Sequence, residues 1–106
     1  EKMLAFSNQT AEEISRTVRA LHPFLPCYIT HKSKFFVVNP YKIEIIKESF
    51  PDNKPNDIIA KSSDENSLTI VCKDQKAVKF KDLTLYKMKL LTKFYIKNRV
   101  KTTSLQ

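Results

Sequence analysis

The sequence predicts a mainly β domain, a small antiparallel barrel or sandwich preceded by one helix and closed by a short helical turn. Three observations carry that expectation. A single amphipathic stripe stands near the N-terminus, and after Pro23 and Pro26 the chain breaks into short β-rich runs punctuated by Asn, Asp and Pro. The length of 106 residues suits one core, burying roughly 65% of the unfolded surface. A 42% hydrophobic content, with seven Phe and four Tyr, supplies enough apolar surface to offset chain entropy, which argues against disorder.

The helix announces its own start. Thr10-Ala11-Glu12-Glu13 reads as a capping box, in which the Thr10 hydroxyl accepts from the Glu13 N–H while the Glu13 carboxylate reaches back to the Thr10 N–H. Ile14, Val18 and Leu21 follow at i, i+4 and i+7, and His22-Pro23 ends the pattern because proline disfavours helical geometry in the residue before it. The predicted helix therefore covers 11–21. Arg16 and Arg19 lie off the apolar stripe, so at least one is expected to be exposed, and Glu12 stands four residues before Arg16 at ion-pair spacing.

The predicted strands are Cys27–Thr30, Lys34–Val38, Lys42–Glu48, Asp57–Lys61, Ser67–Lys73, Val78–Leu83 and Leu85–Lys89. Ile43 and Ile45 alternate with Lys42 and Glu44, giving one buried and one wet face. Lys79 and Lys81 alternate with Val78 and Phe80, which puts the two lysines on one sheet face. Lys73-Asp74-Gln75-Lys76 reads as a hairpin turn, 51–55 and 62–66 as loops, 92–98 as one or two helical turns, and 102–106 as a frayed tail. One domain is expected over 1–106, with its barrel over 27–90 and the terminal turn and tail over 91–106.

The chain has no glycine. Phosphate-cradling loops of the Walker and dinucleotide-binding types need glycine for close backbone approach, so neither is expected by its usual route. Turns at positive φ must use other residues, and Asn39, Asn53, Asn56, Asp74 and Asn98 are the candidates.

Charge is divided unevenly. Residues 1–72 carry nine Lys or Arg against nine Asp or Glu, whereas 73–106 carry ten basic residues against Asp74 and Asp82 alone, so the formal +8 falls entirely in the last third. A one-signed segment on a folded domain steers and holds polyanions. Lysine's excess over arginine favours attraction to phosphates over reading of base edges. Tyr86 and Tyr95 are placed to stack on unpaired bases, although aromatics in alternating strands more often serve the core.

No apolar run approaches the roughly 20 residues of a membrane span, and no membrane partner is expected. Cys27 and Cys72 are expected to be free buried thiols. With His22 and His31 they make an irregular set lacking the close pairs of zinc sites, so no metal is expected. Cys27 and His31, four apart in an extended run, do not read as nucleophile and base, and the capping box already accounts for Glu12-Glu13.

The order of these signals resembles the C-terminal domain of methionyl-tRNA formyltransferases over residues 10–98. Arg19-Ala20-Leu21-His22-Pro23-Phe24, closing an acidic amphipathic helix, is similar to that family's Ile-Arg-Ala-Leu-Asn-Pro-aromatic helix end. Pro55-Asn56-Asp57-Ile58-Ile59 looks like its Pro-Gly-Thr-Ile strand entry, Ser67–Val78 like its last long hairpin, and Leu91–Asn98 like its closing segment. Where the family often has glycine, this chain has Asn56, Gln75 and Asn98. The resemblance implies a small OB-like open antiparallel Greek-key barrel with an N-terminal helix and a short C-terminal helical turn. It also implies a noncatalytic module that holds tRNA, with initiator methionyl-tRNA as partner, while a separate N-terminal domain binds formyl-tetrahydrofolate and performs formyl transfer. No cofactor is expected in this segment itself. A monomer in the cytoplasm, or in an organelle, fits that role.

The candidate site is then a phosphate-binding face made by Lys79, Lys81, Lys87, Lys89, Lys93, Lys97 and Arg99, with Arg16 and Arg19 either extending it or bracing the barrel. Two other readings remain beside this one: a scaffold barrel of a formyltransferase acting on a sugar nucleotide or on the folate, and a standalone RNA-binding domain.

Overall fold

The computed structural model describes residues 2–101; the tail expected at 102–106 lies outside them. The elements are β1 (Lys2–Met3), α1 (Ala11–Leu21), β2 (Cys27–His31), β3 (Lys34–Val37), β4 (Ile43–Ile46), β5 (Ile58–Ser62), β6 (Ser67–Val71), β7 (Ala77–Phe80), β8 (Thr84–Leu85), a 3-10 turn (Lys89–Leu91) and α2 (Thr92–Asn98). They form two open four-stranded sheets, ordered β1-β2-β3-β8 and β4-β7-β6-β5. Neighbours are antiparallel except β1, which runs parallel to β2.

In the second sheet β5, β6 and β7 form a meander, and β4 lies beside β7 although 47–57 separates it from β5 in sequence. That is Greek-key connectivity. Cross-strand rows explain the register. Ile45, Val78, Ile70 and Ile58 stand in one row across four strands, and Ile43, Phe80 and Leu68 in the next. Pairs of this kind are what stabilise one register over its neighbours. Strand β6 is buried at every position, as befits a central strand covered on both faces.

Helix α1 begins with the capping box that its sequence specifies. The Thr10 N–H donates to Glu13 Oε1 at 2.9 Å and the Glu13 N–H to Thr10 Oγ1 at 3.2 Å. These bonds to Thr10 hold the Glu13 carboxyl below its usual range. Ala11, Ile14, Ser15 and Val18 face the core, and the Asp74 carboxylate accepts from the Ala11 N–H at 3.3 Å, placing an acid of the β6–β7 turn at the positive end of the helix. The expected Glu12–Arg16 pair is not among the ion pairs of the described residues; Arg16 instead acts through space on Glu13. One core cluster joins both sheets and both helices, with Phe6 edge-on to Phe80 at 5.8 Å between ring centres.

Several boundaries differ from expectation for identifiable reasons. Strand β1 was not expected, because two residues carry no periodicity; its pairing is set by burial of Leu4 and Phe6 further along the chain. The strand expected over Leu85–Lys89 stops at Leu85. Lys87 takes φ 63°, the Met88 N–H returns to the Leu85 carbonyl at 3.1 Å, and the chain enters the 3-10 turn. The strand expected to reach Leu83 stops at Phe80, ahead of Asp82 at φ 55°.

Positive φ occurs at Lys32, Asn56, Asn66, Gln75, Asp82 and Lys87, so of the five candidates only Asn56 uses it. Asn39 and Asp74 shape their turns through side chains instead. Asn39 Oδ1 accepts from the Tyr41 N–H at 3.0 Å, and Asp74 Oδ1 accepts from the Lys76 N–H at 3.4 Å.

Candidate nucleic-acid interface

The seven candidate residues of the basic last third run from strand β7 to the exposed positions around α2. Lys79 lies on β7 between Glu44 and Thr69, half-buried, with its ammonium 3.2 Å from the Glu65 carboxylate. Its charge is therefore matched locally. Lys81 is half-buried just beyond the end of β7, where its N–H donates to the Lys42 carbonyl at 2.9 Å. Lys87, Lys89, Lys93, Lys97 and Arg99 are all exposed, on the turn after β8, the 3-10 turn, α2 and its C-terminal cap. Lys93 and Lys97, four apart in α2, share one helix face. Lys87 sits over the Tyr86 ring at 5.4 Å. Arg16 and Arg19 are exposed on α1, and the Arg19 Nε–H donates to the Ser15 carbonyl at 3.4 Å.

A groove of about 420 Å³ adjoins this surface. Its apolar lining comes from Leu85, Met88, Leu91, Phe94 and Tyr95, and its basic lining from Lys32, Lys34 and Arg99. Leu91 and Phe94 are exposed by 47% and 58%, so apolar surface faces water in the midst of lysines. Lys32 and Lys34 belong to the β2–β3 hairpin, in the part of the chain whose charges cancel when counted along the sequence. Sequence reasoning missed them because counting by segment discards spatial neighbours; the Lys-Ser-Lys hairpin tip was the available signal. Arg16, Arg19, Lys79 and Lys81 do not line the groove.

Behind the groove, β2 and α2 are joined by a hydrogen bond between His31 Nδ1 and the Tyr95 hydroxyl, 2.8 Å apart. Burial pushes the His31 imidazole below its usual range, with Lys32 adding to the effect, and burial pushes the Tyr95 phenol up while Arg99 opposes it. Two cations of the groove therefore lie near enough to be felt by this neutral pair. Tyr95 also packs edge-on against Phe36, so its ring belongs to the wall and is not free to stack on a base. Tyr86, exposed by 40%, packs edge-on against Tyr28.

Helix α2 is short, at seven residues, and is held by point anchors. Thr92 Oγ1 accepts from the Leu85 N–H and donates to the Lys89 carbonyl, both at 2.8 Å. From β5, the Lys61 ammonium donates to the carbonyls of Ile96 and Lys97, each at 3.1 Å, and of Val100. A cation on the last carbonyls of a helix both satisfies unpaired acceptors and opposes the negative end of the helix dipole.

The described residues contain no group of three or more His, Cys, Asp or Glu able to hold a metal. Cys27 and Cys72 are both buried, and burial with the nearby Asp74 pushes the Cys72 thiol up to about 12, far from a reactive thiolate. His22 Nε2 is 2.8 Å from the Tyr41 hydroxyl.

The fold is a small open β module with one cationic, partly apolar end. Residues 1–99 match the family described as formyl transferase, C-terminal domain. This chain belongs to that family. No curated protein matches it.

Proposed function

We propose that this domain is the tRNA-holding module of a methionyl-tRNA formyltransferase, gripping the phosphate backbone and taking no part in bond making. The observation that supports it is the run 83–101, which contains no acid and presents Lys87, Lys89, Lys93, Lys97, Arg99 and Lys101 at exposed positions. Lysines at the ends of a rigid scaffold act as point charges for phosphates whose sequence does not matter. Formyl transfer, with formyl-tetrahydrofolate as donor, falls on this reading to a separate domain, consistent with histidines occupied by tyrosine hydroxyls and a thiol held protonated. The biological setting is translation initiation.

A salt series with fluorescently labelled tRNA tests the proposal. For about five neutralised phosphates, log K falls against log salt with a slope of about −3.5 to −4.5, and replacing both Lys93 and Lys97 by Ala makes the slope shallower by about 1.5. A flat response overturns the proposal and leaves the sugar-nucleotide scaffold as the better reading.

A further inference from the structure

We propose that the groove between the β2–β3 hairpin and the 3-10/α2 unit takes an unstacked nucleotide of single-stranded RNA, its base against Phe94 and Leu91 and its phosphate among Lys32, Lys34 and Arg99. The inference rests on the reading of this end as an RNA-binding face, and it adds a second mode of contact to the backbone grip.

The groove combines two properties that a phosphate-only surface does not need. Phe94 is more than half exposed on a helix that also carries Lys93 and Lys97, and Leu91, three residues before it, is nearly half exposed. Apolar side chains cost free energy when left in water, and here they stand at the rim of a concave site and not on a flat face. The site's charged lining is wholly basic: Lys32 and Lys34 come from one segment and Arg99 from another, with no carboxylate among the lining residues. An occupant must therefore carry an anion and a flat or apolar body within a few ångströms of each other. A nucleotide does so in every sequence, because each base has a π face and each is joined to a phosphate. A paired base inside a stem cannot offer its face, so the occupant is single-stranded. Lys93 and Lys97 on the same helix supply the next phosphate contacts outside the groove. Tyr95, the other aromatic of the wall, is fixed by His31 and Phe36, which leaves Phe94 as the ring able to receive a base.

The test uses the full chain with a single-stranded RNA hexamer carrying 2-aminopurine at its centre, a blunt RNA duplex of equal length, and labelled tRNA. The expected results are a change in 2-aminopurine emission on binding the hexamer and a loss of hexamer affinity between about fivefold and a hundredfold in Phe94→Ala. The salt slope should be unchanged in Phe94→Ala, because no phosphate contact is removed. Phe24→Ala, at a residue 83% exposed outside the groove, should behave as the parent chain. Equal affinity of Phe94→Ala and parent for the hexamer overturns the groove assignment, as does silent 2-aminopurine. If tRNA still binds with a steep salt slope in that case, the backbone reading stands and only the groove fails; if neither RNA binds, both fail. Phe94-dependent binding to phosphatidylglycerol vesicles without hexamer binding would reassign the groove to a lipid surface.

Discussion

Strand β6 and helix α2 show two ways of being part of one small domain. Every residue of β6 is buried, and its neighbours Phe80, Val78 and Ile58 are buried with it. In α2 only Thr92 and Ile96 are buried, and the helix is secured by the Thr92 hydroxyl, the Lys61 ammonium and the His31–Tyr95 bond. Area holds the first region; the second adds directional polar contacts to the burial of Ile96. The difference bears on function, because an element fixed by a few anchors can turn most of its surface, here Lys93, Phe94 and Lys97, toward a partner. On the proposed function, stability rests mainly with the first region and binding with the second.

The comparison breaks most sharply at Phe80. Its ring is fully buried, edge-on to Phe6 and between Ile43 and Leu68 in the cross-strand rows. Phe80→Ala is expected to cost about 3–5 kcal/mol, a large share of the ~5–15 kcal/mol available to a domain, and urea denaturation followed by circular dichroism measures it. A cost below 1 kcal/mol would mean that the sheet is not the seat of stability.

Lys61→Met tests the other side. It keeps most of the aliphatic stem but removes the donor to the Ile96, Lys97 and Val100 carbonyls, in and just past the last turn of α2, where a hydrogen bond to a charged group contributes about 1.5–3 kcal/mol net. The expected loss is about 1–3 kcal/mol and local: hydrogen exchange should quicken in α2 amides while those of β6 stay protected. Equal loss of protection in both regions would show that α2 is no separate unit.

The asymmetry between these regions also decides what the sequence could reveal. Helix α1 was legible to its boundaries because Thr10, Glu13 and the apolar stripe act over single turns, and the strands were legible from alternation. Strand β1 was not, since its partner β2 is distant in sequence, nor was the early end of β8, where Lys87 turns the chain at positive φ with no glycine to mark the turn. The same holds for the candidate site. The excess of cations in the last third is a sum along the chain, but Lys79 spends its charge on Glu65 and Lys32 and Lys34 join the groove from the neutral part, both outcomes of folding. Lys61, counted as one more lysine, turns out to be an anchor.

The smallest expected effect sharpens the division further. In a chain without glycine, Lys32, Gln75 and Lys87 take φ near 54–63°, a region costly for residues with a Cβ. Gln75 lies in the β6–β7 turn, where its backbone N–H bonds the Cys72 carbonyl at 3.0 Å and its exposed side chain makes one long bond of 3.4 Å to Pro51. Gln75→Gly relieves the left-handed strain at little other cost, and a gain of up to about 1 kcal/mol is expected, reduced by glycine's larger freedom when unfolded. Urea midpoints check it, and destabilisation would show the side-chain bond to outweigh the strain. Lys32→Gly and Lys87→Gly relieve the same backbone strain but remove cations from the groove and the turn beside it. If the two regions divide stability from binding, these variants gain stability while losing affinity for tRNA, whereas Gln75→Gly gains stability and binds unchanged.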